Sequence, residues 1–494
     1  MGFCLAVLAA ASGLAVLPGC GGQRKDLKTP LTVVRDENLN PVTRMRAVPN
    51  AVAEASQDPW KLNATKRALL DIAGNPTQDG RLRVGAFEGL LDDTDEATFN
   101  AGRELASKVL ADERDETVVG FLSERAAQWP EAAPALVRSL SRELPKWKGD
   151  GRPELDALTA IGQGRGAGPV VADVLAMPTA ELEKTLGTDG AKLVRAEAWG
   201  VLASLDPDGS LRQSTVSRLP NGDPATDAVR TAATVMGSYP AGGDELSWLV
   251  RVLDASNGQN SAWWREAEPT LSRLRAEGKG PLELRHVEPI RWAAVHRSQW
   301  LSASREELLS QLRARIDQRS VRARSGGELK AESKEMLYQR ENELTWADVL
   351  SALVIDDAVR QPQIHAAIIG QAKVDLVDER AALGGALAFR GANGDESAAT
   401  IFLPRAGQRR GNEKFFATRD LVLGSDRALA HYRLNAEKAK NSTEAGPSVA
   451  DLAYAARSRR NCVVFTPLGD GEVGVDYYQP NGAVVDLGSL TLTK

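Results

Sequence analysis

The chain has 494 residues, 43% hydrophobic and 26% charged, which is typical of a globular protein of several domains and excludes a disordered or fibrous one. Its 61 Lys and Arg against 66 Asp and Glu leave a net charge of −5, so the cationic surplus of a nucleic-acid-binding protein is lacking. Four His and three Cys offer little material for metal or thiol chemistry.

The first feature along the chain is an apolar segment, residues 3–17, followed at once by Pro18, Gly19 and Cys20. About 15 apolar residues are too few for a membrane span, but they suit the core of a signal peptide. A small residue before a cysteine at the end of such a core resembles the bacterial lipobox. The resemblance implies cleavage before Cys20, lipid attachment to its sulfur and anchoring in the cell envelope. A signal peptide without a lipid, or a buried N-terminal helix, is the alternative.

A helical pattern recurs between residues 30 and 275. An arginine is followed by a small residue three positions later, and by a small or apolar residue four positions further on, at Arg44, Arg83, Arg195 and Arg230. This spacing places the small and apolar residues on one helix face, with the arginine beside it. The intervals fit a period of roughly 37 residues, and the pattern resembles HEAT repeats. We expect a curved α-solenoid, with an irregular helical bundle as the alternative.

Helix-start signals precede three of these arginines, at Asn40-Pro41, Asp79-Gly80 and Asp223-Pro224. The concave face of such a solenoid ordinarily binds an extended partner, so we expect a protein partner there. Two adjacent tryptophans, Trp263 and Trp264, stand in a mostly polar run. They are the best candidates for an exposed anchor on that partner, the alternative being that they fill gaps between repeats like the other tryptophans of this region.

Residues 276–344 break the repeat and are predicted to form a charged helical hinge. Ser304-x-x-Glu307 has the spacing of a capping box, which marks a helix start. The arginine-rich run 313–324 is expected to form a solvated helix face, with a local contact to a phosphate or lipid headgroup as the alternative.

Beyond residue 345 the pattern changes to short apolar or alternating runs, which predict strands at 379–390, 397–403, 462–466, 472–478 and 483–487. Asn481-Gly482 between the last two predicts a tight hairpin turn. Cys462 lies in an apolar run and is expected to be buried rather than reactive. These signals indicate a separate α/β or α+β domain over 345–494.

Within this C-terminal region, four features follow one another: Glu379, a glycine-rich strand at Gly384-Gly385, His431, and Ser448-x-x-Asp451. This order resembles the JAB/MPN (JAMM) metalloprotease-like domain. There, two histidines and an aspartate hold zinc, a glutamate is the general base, and a serine helps to hold the oxyanion. The resemblance implies Glu379 as base, His431 and Asp451 as metal ligands, and Ser448 as oxyanion helper. A plain N-terminal helix cap at Ser448 is the alternative.

One residue departs from the family pattern, because Arg433 stands where the second histidine ligand should be. Arginine stays protonated and has no lone pair for a metal. An arginine there can instead pair with Asp451 or Glu379, leaving a metal-free pocket.

The sequence therefore predicts a multidomain protein in five parts. They are a signal peptide (1–19), a tether (20–29), a HEAT-like all-α solenoid (30–275), a helical hinge (276–344) and a degenerate JAB/MPN-like α/β domain (345–494). The expected function is that of a lipid-anchored, periplasm-facing scaffold at the outer membrane that binds a protein partner and uses no cofactor or nucleic acid. The alternative is a zinc-dependent peptidase or isopeptidase.

Overall fold

A computed structural model describes most of the chain. The described residues are 29–142, 151–319, 336–375, 381–390, 396–403, 411–415, 417–435, 445–469 and 472–491, with the single positions 377, 405, 407 and 409. They fall into two compact units, one up to Ala106 and one from Ser107 onward. The predicted domain boundaries at 275 and 345 stay predictions.

The first unit consists of helices. They are α1 (Pro30–Arg35), α2 (Pro41–Ala55), α3 (Pro59–Gly74), α4 (Gly80–Leu91) and most of α5 (Glu96–Asp112). The predicted caps are confirmed, since the Asn40 side chain accepts from Val42 N–H and the Asp79 side chain from Arg81 and Leu82 N–H. A Cβ at Gly89 of α4 would meet Val48 Cγ1 of α2 at 2.9 Å, so the missing side chain lets the two helices pack closely.

The recurring arginines donate to carbonyls at or shortly after the end of the preceding helix. Arg44 Nε donates to Val34 O at 2.9 Å and Arg83 Nε to Ala73 O at 3.1 Å, each ten residues back. In the second unit, Arg195 Nη1 donates to Leu175 O at 2.7 Å, twenty residues back, and Arg230 Nη1 to Pro220 O at 3.2 Å, ten residues back and just beyond a helix. The last carbonyls of a helix have no partner within it, so these guanidinium groups satisfy acceptors that would otherwise be buried unpaired. The sequence pattern thus marks a repeated helix-end contact.

The second unit continues with helices from the end of α5 to α20. They are α6 (Glu116–Ala126), α7 (Ala133–Leu140), α8 (Pro153–Ile161), α9 (Ala167–Ala176), α10 (Thr179–Leu205, with a break at Gly187), α11 (Ser210–Val216), α12 (Pro224–Thr231), α13 (Gly243–Leu253), α14 (Gly258–Ala276), α15 (Val287–His296), α16 (Ser298–Ser302), α17 (Arg305–Ile316), α18 (Leu337–Arg340), α19 (Trp346–Val359) and α20 (Pro362–Asp375). The capping box at Ser304 and Glu307 is confirmed. No described helix combines the length and apolar character needed to cross a membrane.

The C-terminal part of this unit is built on a mixed sheet. Its segments are β1 (Ala381–Ala382), β2 (Gly384–Arg390), β3 (Glu396–Ile401), β4 (Gly411–Phe415), α21 (Arg419–Gly424), β5 (Ala430–Leu434), α22 (Val449–Ser458), β6 (Cys462–Gly469), β7 (Glu472–Tyr478) and β8 (Val484–Thr491). Six strands pair in the order β3-β2-β5-β6-β7-β8, antiparallel except for parallel β5 and β6, while β1 pairs with β4 alone. The expected helical N-terminal region and C-terminal α/β region are therefore found.

The sheet carries a helix on each face. Side chains alternate along β5, so that His431 faces α22 and Tyr432 faces α20, where its hydroxyl donates to Gln371 Oε1 at 2.6 Å. Cys462 is fully buried against α22, as expected, and Gly482 takes a φ of 82° in the predicted hairpin turn. Strand β5 carries no strong strand signal in the sequence and was not predicted, although it lies inside the sheet.

A buried polar group, which we call the junction cluster (Glu283, Arg285, His286, Asp348, Asn461 and Gln479), connects the helices to the sheet. Arg285 Nη2 lies 2.6 Å from Asp348 Oδ1, and its Nη1 donates to Gln479 Oε1 at 2.9 Å. His286 Nε2 is 3.0 Å from the same Asp348 oxygen. Because these groups come from segments far apart in the chain, the cluster holds the helices and the sheet of this unit together.

The structure corrects the expectation that Trp263 and Trp264 are exposed. Each is only 4% exposed, and the Trp263 indole N–H donates to the Glu288 carboxylate on α15. Both side chains fill the space around α14, because even a mostly polar helix buries the stripe that faces its neighbours. Among the described tryptophans, the exposed one is Trp60, at 88%.

Candidate functional site

The predicted site residues meet where α22 packs on β5. Ser448 and Asp451 form a capping box at the start of α22: Ser448 N donates to Asp451 Oδ2 at 2.8 Å, and Asp451 N to Ser448 Oγ at 3.3 Å. This is the alternative that the sequence left open for the Ser-x-x-Asp motif. Both groups are used in starting the helix, which aims the Asp451 carboxylate at the sheet.

Arg433 reaches that carboxylate from β5. Its Nη1 lies 2.8 Å from Asp451 Oδ2 and 3.4 Å from Ser448 Oγ, and the ion pair is more than nine-tenths buried on both sides. The same Asp451 oxygen also accepts from the Ser448 hydroxyl at 2.8 Å. A buried carboxylate needs such donors because it has lost its water. The guanidinium therefore occupies the position next to Asp451 where the family resemblance would put a metal.

His431, two residues before Arg433, faces the same helix. Its Nδ1 lies 2.6 Å from the Tyr454 hydroxyl and its Nε2 lies 2.7 Å from Ser425 Oγ. The Ser425 hydroxyl donates its proton to Leu421 O, so Nε2 must donate to Ser425 and Nδ1 must accept from Tyr454. Burial, and then the Arg460 guanidinium, lowers the pKa of His431 well below its usual value of 6.5. His431 is therefore a neutral imidazole with both nitrogens already bonded.

These residues do not fit a catalytic zinc ion. Such an ion needs a lone pair from each histidine ligand and about three protein ligands. In His431 one nitrogen carries the proton and the other accepts from Tyr454. Asp451 is paired with a fixed cation in Arg433. Among the described residues, no three His, Cys, Asp or Glu side chains form a group able to hold a metal.

Two predicted site residues, Glu379 and Cys20, lie outside the described residues. The structure brings His431, Arg433, Ser448 and Asp451 together on one face of α22. It does not bring Trp263 or Trp264 to the surface. Ser425 and Tyr454, which bond to His431, were not identified from the sequence, because neither stands at a known motif spacing from His431.

An open cleft of about 770 Å³ lies beside this packed region, between α10, α13 and the end of α22. Many of the residues that line it are small: Ala196, Gly200, Ala203, Ala241, Gly242, Gly243 and Ala456, alongside the larger Leu140 and Val201. A Cβ at Gly243 would lie 2.5 Å from Ala196 O, so α10 and α13 touch through their backbones here. We call this space the α10–α13 cleft. No sequence motif pointed to it, because its residues come from four segments that are distant in the chain.

Charged side chains of both signs line the α10–α13 cleft. Glu197 and Asp244 come from α10 and α13, Arg142 from the residues after α7, and Arg457 and Arg459 from the end of α22. Arg459 adopts a left-handed backbone, φ 56°, which is unfavourable for a residue with a Cβ. Its Nη2 lies 3.3 Å from Glu283 Oε2, so this conformation holds the guanidinium between the cleft and the junction cluster.

No family model matches this sequence, and neither a curated protein nor a solved structure matches it.

Proposed function

We propose that this chain is a protein-binding scaffold that holds an extended polypeptide segment of its partner in the α10–α13 cleft. The observation that carries the proposal is the cleft itself, which combines many small lining residues with charges of both signs. Its volume of about 770 Å³ lies within the range of ligand-binding clefts. The small residues of the lining leave room for a peptide backbone.

The charges favour a polypeptide over a small apolar ligand. Asp244 on α13 and Arg457 on α22 are both exposed, so the wall of the cleft presents charges of opposite sign from two different helices. Glu197 is partly exposed and is held by Arg138 at 3.0 Å. Charged groups at the rim of a binding surface select partners with complementary charges. The preferred segment should therefore carry acidic and basic side chains at separate positions.

The proposal includes a HEAT-like helical array as the scaffold. It is supported by the repeated contact in which Arg44, Arg83 and Arg230 each bond to a carbonyl ten residues earlier. A hydrogen bond that recurs in successive helices is typical of arrays in which each helix pair packs on the next.

The proposal also includes a JAB/MPN-like C-terminal fold whose metal centre has been replaced by an ion pair. Its support is the meeting of Arg433 on β5 with Asp451 and Ser448 at the start of α22. Attachment to the envelope through Cys20 completes the proposal and depends on the lipobox resemblance alone.

The test is selection of linear peptides from a random display library on the purified chain. Ser204 is exposed in the cleft, so Ser204→Trp fills it, and selected peptides should bind this variant at least about tenfold more weakly. Ser217→Trp is the matched control, because both serines are exposed at a helix end and donate to the carbonyl three residues back.

A charge reversal makes the test specific. Arg457→Glu should reduce binding, and exchanging one acidic residue of the peptide for Lys should restore it. Failure to select any peptide, or equal binding to Ser204→Trp and the unchanged chain, would remove the basis of the proposal.

A further inference from the structure

A second cavity, distant in the fold from the α10–α13 cleft, encloses about 320 Å³. It lies where the ends of α17 and α19 meet α20 and the edge strand β8. The residues that line it are Gln318, Arg319, Val359, Arg360, His365, Ser489 and Leu490. We call it the arginine pocket. Its described lining contains two guanidinium groups, an imidazole, an amide and a hydroxyl, and no carboxylate.

The arginine pocket borders a charge cluster with more cations than anions. Two carboxylates, Asp356 and Asp357, are surrounded by Arg297, Arg315, Arg319 and Arg360. The closest approaches are Arg315 Nη1 to Asp357 Oδ1 at 2.6 Å and Arg319 Nη2 to Asp356 Oδ1 at 2.7 Å. Four positive charges against two negative ones leave an excess of two.

Helix dipoles offset only part of this excess. The C-terminal ends of α17 and α19 each contribute roughly half a negative charge near the cluster. Asp356 is fully buried. Burial raises its pKa despite the adjacent arginines, so its ionised form is destabilised by the loss of water. About one positive charge therefore remains to be balanced at the arginine pocket.

The two pocket arginines differ in how firmly they are held. Arg319 is only 9% exposed and is fixed by Asp356 and by the Leu487 carbonyl. Arg360 is 40% exposed, and its carboxylate contact is a long one, 3.5 Å from Nε to Asp356 Oδ2. The Arg360 guanidinium can therefore rotate so that its N–H groups point into the pocket, beside the fixed guanidinium of Arg319. Paired guanidinium groups with hydroxyl and amide donors match the tetrahedral oxygens of phosphate.

We propose that the arginine pocket binds a phosphate group, held by Arg319 and Arg360 with help from Gln318 and Ser489. The group can belong to a soluble phosphate or to a phospholipid headgroup, since both present the same oxygens. This site is independent of the scaffold function proposed above.

The experiment is isothermal titration calorimetry of the full chain with three probes. They are inorganic phosphate, glycerol phosphate and a short-chain phosphatidylglycerol below its micelle concentration. Binding of the first two identifies a soluble phosphate, and binding of the third alone identifies a lipid headgroup. Either result supports a phosphate site, provided that Arg360→Gln raises Kd at least about tenfold, the expected loss for a charge-assisted hydrogen bond.

Arg297→Gln is the matched control. Arg297 belongs to the same charge cluster, is 45% exposed and lies 3.5 Å from Asp357, but it does not line the arginine pocket. It should change Kd less than about twofold, since its guanidinium does not face the ligand. The proposal is overturned if no probe binds, if Arg360→Gln binds as tightly as the unchanged chain, or if Arg297→Gln weakens binding as much as Arg360→Gln. Circular dichroism confirms that both variants are folded.

Discussion

The arginines of the repeated helical pattern and the arginines where the helices meet the sheet make different contacts. In the helices, Arg44, Arg83 and Arg230 donate to backbone carbonyls ten residues away. Around the sheet, arginines pair with buried carboxylates: Arg433 with Asp451 on another element, and Arg285 with Asp348, more than 60 residues further on. The first contact is local and repeats with the helices, whereas the second depends on how distant segments come together.

This difference has an energetic consequence. A neutral carbonyl that loses its guanidinium partner leaves one unsatisfied acceptor, but a buried carboxylate that loses its partner leaves an uncompensated charge. Arginines that pair with buried carboxylates should therefore be more sensitive to substitution than the arginines of the repeated helical pattern.

The largest effect is expected in the junction cluster. Arg285→Leu leaves Asp348 and Glu283 buried without their main cation, and should lower the free energy of unfolding by about 3–5 kcal/mol. Urea denaturation followed by tryptophan fluorescence measures this loss. Arg273→Leu is the control: its pair with Glu277 is half-exposed, so we expect a change below about 1 kcal/mol. Equal losses in the two variants would contradict the comparison.

The second effect is a dependence on pH. Burial, and then the Glu283 carboxylate, raises the pKa of Glu245 from an ordinary 4.5 to about 7. The folded state then holds a proton that the unfolded state releases, so stability from this group is full below pH 4.5 and is lost as the pH rises to about 7. The loss is on the order of 3 kcal/mol.

Glu245→Gln isolates this contribution, because the amide cannot ionise. Unfolding free energies measured between pH 4.5 and 7.5 should fall with rising pH in the unchanged chain, and fall less steeply in the variant. The same slope in both proteins would show that the Glu245 carboxyl is ionised in the fold throughout this range.

The smallest effect is expected in the helices. Arg83→Met removes the donor from Ala73 O while keeping most of the buried volume, and should cost about 1–2 kcal/mol. Arg81→Met in the same helix is the control, since Arg81 is exposed and should change stability by no more than about 0.5 kcal/mol. A loss at Arg83 as large as that at Arg285 would mean that helix-end contacts and buried ion pairs are equally costly to break.

Local sequence signals predicted the structure best where a side chain forms a hydrogen bond with a backbone group a few residues away. The caps at Asn40, Asp79 and Asp223, the capping box at Ser304 and the turn at Gly482 are all found. Each depends on groups within three or four residues of one another, so tertiary packing has little opportunity to overrule it.

Predictions that needed a surface or a long-range contact were less successful. Trp263 and Trp264 stand in a polar run, yet both are buried, because the neighbouring helices decide which stripe of α14 is covered. Strand β5 is only five residues long and contains His431 and Arg433. Because of these polar residues the sequence pattern did not indicate a strand there, although the structure buries it on both faces. The α10–α13 cleft and the arginine pocket have no local signature at all.

The sequence by itself determined that helices come first and a mixed α/β region follows, where several helices begin, and that an arginine, which cannot ligate a metal, stands two residues after His431. Only the tertiary structure decided that Arg433 meets Asp451, that both nitrogens of His431 are already bonded, and which arginines border a cavity. The reason is physical: a cap or turn is stabilised by atoms a few residues apart, whereas burial, pairing and shared charge depend on segments that meet only when the chain folds.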